Sequence, residues 1–364
     1  MNSEKTRIKW IDLVRAVAIL LVVLCHSTES IYQLRLENVI ALSSQSRIFG
    51  FVCFTAGRLG VPLFLMITGS LLLPRDYNNE NIKYFWKHKW LQLLICTLIW
   101  FSIYDLFLVL NNHAHISFLQ LIEELLFLRK VNMSHVWYLP TILGLYILLP
   151  FVSSVMNKYD KTIFLFPLLI YTFYSLGYNS LNIFYSVYHP ELPLSNQFSL
   201  GFSGAYYGLY ILYGYFISTG TFKKLPSLCV AIISMLAFIA VVFTQIWSYQ
   251  NGYAYNVWYS NLLILLTSMG IYELFSRTKN IYGYKIIRYI SLYSFGIYLT
   301  HNIVNIVLTD TVKELAVIMP FKVVLLWIIC FAISLIITVL ISKIPKIGKY
   351  VLYMKSDLGS AVNK

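Results

Sequence analysis

Along the chain, apolar runs of about 20 residues alternate with short polar segments. Runs of that length cross a hydrocarbon core as helices. In lipid each span must satisfy its own backbone, so helix is the default conformation. The pattern predicts ten spans, at residues 13–32, 48–73, 90–110, 136–155, 163–181, 204–218, 228–247, 257–275, 290–308 and 321–341. Gly and Tyr dilute the sixth. Two connections exceed what a turn needs. Residues 111–134 contain the apolar stretch 116–128 with Glu123 and Glu124, too short to span and expected to lie along the interface. Residues 182–203 are rich in Tyr, Phe, Asn and Pro. With no internal repeat, heptad or separate soluble region, the expectation is one all-α polytopic membrane domain over residues 1–364, with tails at about 1–10 and 343–364.

Composition agrees: 59% of residues are hydrophobic and 12% charged, with a mean hydropathy of +0.69. A soluble core cannot hide that much apolar surface. The net charge of +13 raises nucleic acid as a partner. The basic residues sit in short loops between apolar runs, however, so they read as orientation signals at a membrane, and no nucleic-acid partner is expected. With the N-terminus inside, inner segments carry twenty Lys and Arg, outer loops five, and spans three. That asymmetry puts both termini in the cytoplasm and favours an even number of spans. Lys5, Arg7 and Lys9 before an apolar run mimic a signal peptide, but the run lacks a small-residue cleavage site and reads as an uncleaved first helix. The five cysteines lack metal-ligand spacing. Cys25 and Cys53 both fall toward the outer face, which leaves one bridge open.

Charged groups in lipid-spanning segments are costly, so each is a candidate site. Arg15 and His26 are eleven residues apart in the first span. Helical geometry puts them on one face, about 16 Å apart along the axis, with Arg15 near the inner end. Arg15 has a bland alternative as a snorkelling residue paired with Asp12, and His26 as an interior hydrogen-bonded histidine. Glu29 can face His26 and orient its ring, or mark the interface. Arg58 lies at mid-membrane depth among Gly57, Gly60 and Pro62, which predict a kinked or broken helix; a broken helix at that depth lines a cavity. His135, Trp137 and Tyr138 open the fourth span from outside, and His301 lies in the outer half of the ninth. Their aromatics also suit an ordinary interfacial belt. His26, His135 and His301 show neither an HxxxH pair nor a carboxylate cluster, so no metal is expected. Glu273 and Lys322 are weaker candidates, and Asp105 has no evident role.

These residues carry a resemblance. The chain resembles the acyltransferase family 3 membrane proteins, bacterial enzymes that O-acylate surface glycans. The resemblance rests on Trp10-Ile-Asp-Leu-Val-Arg15-Ala-Val-Ala-Ile followed by His26, the family's Arg-x10-His pattern. It also rests on Arg58-Leu-Gly-Val-Pro-Leu-Phe-Leu-Met-Ile-Thr-Gly69, His135-Val-Trp-Tyr-Leu139 and Ser294-Phe-Gly-Ile-Tyr-Leu-Thr-His301. Leu65 and Thr68 stand where the family often has Phe and Ser. The resemblance implies a single-domain, multi-pass enzyme of the bacterial inner membrane. It would move an acyl group, acetyl above all, from cytoplasmic acetyl-CoA to a hydroxyl of a surface polysaccharide or its lipid-linked precursor. His26, Glu29 and His301 are then the catalytic candidates, Arg15 and Arg58 the donor-binding ones, and His135, Trp137 and Tyr138 the acceptor-binding ones. An arginine fork suits coenzyme A phosphates, and histidine is a competent base. Either Arg58 or His301 can stabilise the oxyanion. One continuous cavity between donor and acceptor is expected. A glycan transporter or flippase, and a synthase scaffold, are the rival readings; neither explains a phosphate-suited Arg and a base on one helix face.

Overall fold

A computed structural model describes residues 7–112, 115–133, 135–189, 194, 206–344 and 347–354. Much of the predicted outer segment 182–203, and most of both tails, lie outside the described residues. The described chain is helical, with no strand among the described residues. In order the helices are α1 (Lys9–Tyr32), α2 (Leu36–Ile40), α3 (Ser44–Arg58), α4 (Gly60–Leu72), α5 (Asn79–Phe85), α6 (Leu91–Asn112), α7 (Phe118–Leu125) and α8 (Tyr138–Lys158). Then come α9 (Leu165–Thr172), α10 (Tyr178–Tyr188), α11 (Tyr207–Ser218), α12 (Ser227–Gln250), α13 (Leu262–Ser276), α14 (Tyr284–Lys313), α15 (Met319–Ser342) and α16 (Ile347–Val351). A π turn, Trp86–Trp90, joins α5 to α6, and another, Phe173–Gly177, joins α9 to α10.

Among the described residues, six helical stretches are long and apolar enough to cross a membrane, fewer than the ten spans expected: Lys9–Tyr32, Ser44–Leu72, Asn79–Asn111, Tyr138–Lys158, Ser227–Gln250 and Met319–Ser342. The other four expected segments fall on α9–α10, α11, α13 and α14. Of these, α11 and α13 are short, α9–α10 is interrupted by its π turn, and α14 carries a polar stripe. The physical reason lies in packing. Only 22% of the most apolar window of α15 is buried, so α15 faces outward and must be apolar. By contrast, α14 packs between α1 and α15 and buries Ser291, Ser294, His301, Asn302 and Asn305. An enclosed helix need not resemble lipid.

The α1–α14 pair runs parallel: Asp12 meets Ser291 near both starts, and the rings of His26 and His301 meet further along. Next to it α15 runs antiparallel, with Thr338 against Gly296 and Cys330 against the His301 carbonyl. The start of α1 and the end of α15 therefore share one end of the bundle. In the second span the helix is interrupted at one residue rather than fully broken: α3 ends at Arg58 and α4 begins at Gly60, while Leu59 between them keeps helical dihedrals. The apolar stretch 116–128 forms α7, with Phe118 and Leu119 exposed, as an interfacial helix would have them. Cys25 and Cys53 are free thiols.

Glycines set how closely α1 approaches this break. A Cβ on Gly57 would lie 2.5 Å from Cys25 Cα, and one on Gly60 2.6 Å from the Ala18 carbonyl oxygen. Helices with small residues at the crossing bring their backbones into contact. Gly57→Ala should therefore cost about 1–3 kcal/mol through overpacking. Gly144→Ala, where an added Cβ meets nothing within 4 Å, serves as the control. Thermal unfolding in detergent measures both; equal midpoints for the two variants would refute the close crossing.

Candidate active site

The crossing sets the neighbours of Cys25 and Gly57 side by side. Glu29 Oε1 accepts a 2.7 Å hydrogen bond from Arg58 Nη2, and Glu29 Oε2 lies 2.9 Å from His26 Nδ1. A carboxylate in that place holds the imidazole with its proton on Nδ1 and leaves Nε2 as a lone pair, the arrangement of an oriented general base. The Arg58 guanidinium lies 4.6 Å from the Phe54 ring centre and 4.5 Å from that of Trp258, and Nη1 donates to the Tyr259 hydroxyl at 3.4 Å. Stacking and pairing keep a buried cation tolerable at this depth. Arg58 Nε is buried and has no hydrogen-bond partner among the described residues.

His135 and His301 complete the cluster. Their ring centres are 6.2 and 5.3 Å from that of His26, and 5.2 Å from each other. Tyr298 holds both, donating its hydroxyl to the His135 carbonyl at 2.8 Å and accepting through its own carbonyl from His301 Nδ1 at 2.6 Å. No group of three His, Cys, Asp or Glu among the described residues is placed to hold a metal ion. The crevice between His26, Arg58, His135 and Tyr138 has a volume of about 10 Å³, near the minimum for one water.

Two large clefts flank it. At the His26 end, a cleft of about 1400 Å³ is lined by Arg129, Lys130, Trp137, Tyr206, Tyr207 and Trp258. Its aromatic floor is built by contact: Trp137 stacks on Tyr207 at 5.1 Å, and Trp258 lies 5.5 Å away. At the opposite end, a cleft of about 1040 Å³ is lined by Arg7, Arg15, Arg75, Lys89, Asp12 and Tyr77, among others. Here the bland reading of Arg15 meets a difficulty. Asp12 is already engaged by Arg7 at 2.5 and 2.9 Å, by the Tyr284 hydroxyl at 2.7 Å and by Ser291 at 2.8 Å. Arg15 is left 3.8 Å from Asp12 and 3.4 Å from Ser291, so its guanidinium donors face the cleft. Among the described residues these are three separately lined spaces, with Trp137 shared by the crevice and the aromatic cleft.

The structure thus brings together His26, Glu29, Arg58, His135, Tyr138 and His301, with Trp137 at the boundary to the aromatic cleft. It separates Arg58 from Arg15, its expected companion. The remaining candidates serve other contacts. Glu273 pairs with Arg277, which also holds the Phe222 and Leu225 carbonyls, and Lys322 Nζ donates to the Lys313 carbonyl. Asp105 neighbours Glu124 of α7. Sequence reasoning missed Trp258, Tyr259, Tyr207, Tyr104 and Arg75. A signal existed for the first three: aromatic pairs open the sixth and eighth segments as Trp137-Tyr138 opens the fourth. Interfacial belts have the same composition, so the pattern alone did not separate site from belt.

A family model described as an acyltransferase domain matches residues 8–343. No curated protein and no solved structure matches the chain.

The pairing has a measurable energy. Glu29→Gln removes the partner of a buried cation; because Glu29 is about a third exposed, the loss should be roughly 1–3 kcal/mol rather than the larger cost of a fully buried pair. In a double-mutant cycle with Arg58→Met, the coupling should exceed about 1 kcal/mol. Additive effects on unfolding would mean the contact contributes nothing.

Proposed function

The chain belongs to the acyltransferase family 3, and from that premise we propose that it is a membrane O-acetyltransferase of the bacterial inner membrane. It takes acetyl from acetyl-CoA at the cytoplasmic face and places it on a hydroxyl of an extracytoplasmic polysaccharide or its lipid-linked precursor. The observation that carries this reading is the order of the three spaces along α1. A basic cleft at Arg15 and an aromatic cleft at Trp137 are separated by a crevice that holds an oriented histidine beside a buried arginine.

Coenzyme A is polyanionic, and Arg7, Arg15, Arg75 and Lys89 outnumber Asp12 and Asp76 in a cleft large enough for its nucleotide end. An extended pantetheine arm spans the roughly 16 Å from Arg15 to His26. The donor end is cytoplasmic by the excess of basic residues in the segments at that face. The aromatic floor suits the apolar faces of a sugar ring, and its position at the opposite end suits an extracytoplasmic acceptor.

In the proposed step, His26 Nε2 removes the proton from the acceptor hydroxyl as its oxygen bonds to the thioester carbonyl carbon. Glu29 holds the tautomer and stabilises the imidazolium, and the Arg58 Nε–H, buried and unpartnered, donates to the developing oxyanion. Collapse breaks the carbon–sulfur bond, and the proton passes from His26 to the departing thiolate. In this arrangement Arg58 serves the reacting carbonyl, while Arg15 anchors the donor. The small crevice keeps bulk water from the thioester.

His26→Ala should abolish transfer of radiolabelled acetyl into membrane glycan with normal expression and insertion; near-normal labelling would overturn the role. Arg15→Lys keeps charge but loses the fork, so KM for acetyl-CoA should rise about tenfold or more with little change in kcat. An unchanged KM in both Arg15→Lys and Arg15→Ala would return Arg15 to a topology marker. In sealed vesicles, acetyl-CoA should work only from the cytoplasmic face; equal activity from either face would refute the vectorial reading.

A further inference from the structure

Two buried nitrogens beside His26 have no part in the step just described. Tyr104 has a single hydroxyl proton, and it is donated to the Leu299 carbonyl at 2.8 Å. The 3.0 Å contact between Tyr104 and His135 Nε2 must then have Nε2–H as donor, which leaves His135 Nδ1 a bare lone pair. His301 Nδ1 faces the Tyr298 carbonyl, which can only accept, so Nδ1 carries the proton and Nε2 is bare. The residues are 1% and 0% exposed, and neither bare nitrogen has a hydrogen-bond partner among the described residues. A ring flip would not relieve this, because each would break the bond that the protonated nitrogen makes. His26 and His135 line the crevice, and the His301 ring packs against both, its centre 5.3 Å from that of His26 and 5.2 Å from that of His135. They are not arranged to close on a metal ion.

Buried acceptors left unpaired are costly, and such groups mark a place where a ligand supplies the donor. We propose that His135 Nδ1 and His301 Nε2 read a second donor on the acceptor, an O–H or amide N–H vicinal to the hydroxyl that His26 deprotonates. The protein then selects the polyol or acetamido edge of a sugar over an isolated alcohol. The proposal rests on the acyltransferase reading above and adds the recognition that would orient the acceptor. A site built to bond a donor rejects the analogue that lacks it far more strongly than an apolar pocket rejects a change of size.

Two substitutions delete the acceptor and keep the structural bond. His135→Gln retains an amide donor near the Nε2 position for Tyr104 and removes Nδ1. His301→Asn retains a donor near the Nδ1 position for the Tyr298 carbonyl and removes Nε2. In membranes carrying each variant, KM for acetyl-CoA should hold while acceptor kcat/KM falls roughly 10–100-fold. An acceptor kcat/KM unchanged in both overturns the proposal. Nitrogen NMR of histidine-labelled full-length protein gives an answer independent of turnover. His135 should be the Nε2–H tautomer and His301 the Nδ1–H tautomer, and methyl glucoside, but not ethanol, should shift both bare nitrogens. The opposite tautomers, or equal shifts with ethanol, overturn it. Loss of all transfer from wild-type protein would refute the acyltransferase reading instead, and the tautomers and shifts would still judge this one.

Discussion

The buried Arg58 guanidinium is the constraint on which the rest of the site depends. A cation at that depth requires a counter-charge, π faces and exclusion of competing water, and each requirement recruits a different element. Glu29 comes from α1, Phe54 from α3 itself, and Trp258 and Tyr259 from the segment leading into α13. Glu29 meets Arg58 only because Gly57 and Gly60 let the backbones of α1 and the α3–α4 break touch. The same carboxylate then orients His26. One ion pair thus ties the stability of the helix crossing to the protonation pattern of the proposed base.

Around this pair the bundle divides its labour by solvent. Helices such as α12 and α15 present apolar surface outward and carry little chemistry. The enclosed α14 carries Ser291 to the Asp12–Arg15 end, Tyr298 to His135, and His301 against the His26 ring. Because α14 runs parallel to α1, Ser291 meets Asp12 at one end of the pair and His301 meets His26 further along. A polar stripe costs little inside a bundle and much against lipid, so the chemistry concentrates on the pair of helices that the others surround.

The small crevice lies between two clefts, one carrying Arg7, Arg15, Arg75 and Lys89, the other floored by Trp137, Tyr207 and Trp258 with Arg129 and Lys130 on its lining. In the proposed reaction such separation would let a thioester and a hydroxyl approach from opposite directions, and an extended donor would part the side chains between Arg15 and His26 on binding, a rearrangement of packing rather than of topology.

The residue pattern by itself determined the solvent, the helical class, the interruption of the second span and a face shared by Arg15 and His26. Each follows from periodicity, hydropathy or backbone stiffness within one segment. His26, Glu29, Arg58, His135, Tyr138 and His301 were all singled out from their types, depths and motifs. Of the ten expected segments, six fall on helical stretches of the described chain that are long and apolar enough to cross a membrane; the other four fall on short, interrupted or polar-striped helices, whose polar faces turn to neighbouring helices as in α14. Only the tertiary structure decided partners. It parted Arg58 from Arg15, occupied Asp12 with Arg7, Tyr284 and Ser291, and left Arg15 facing a cleft. It added Trp258, Tyr207 and Tyr104, whose roles come from contacts with segments distant in the chain. Which imidazole nitrogen holds a proton depends on a carbonyl or carboxylate supplied across the bundle or one turn away. Spacing along a chain does not encode such contacts, because they exist only where separate helices meet.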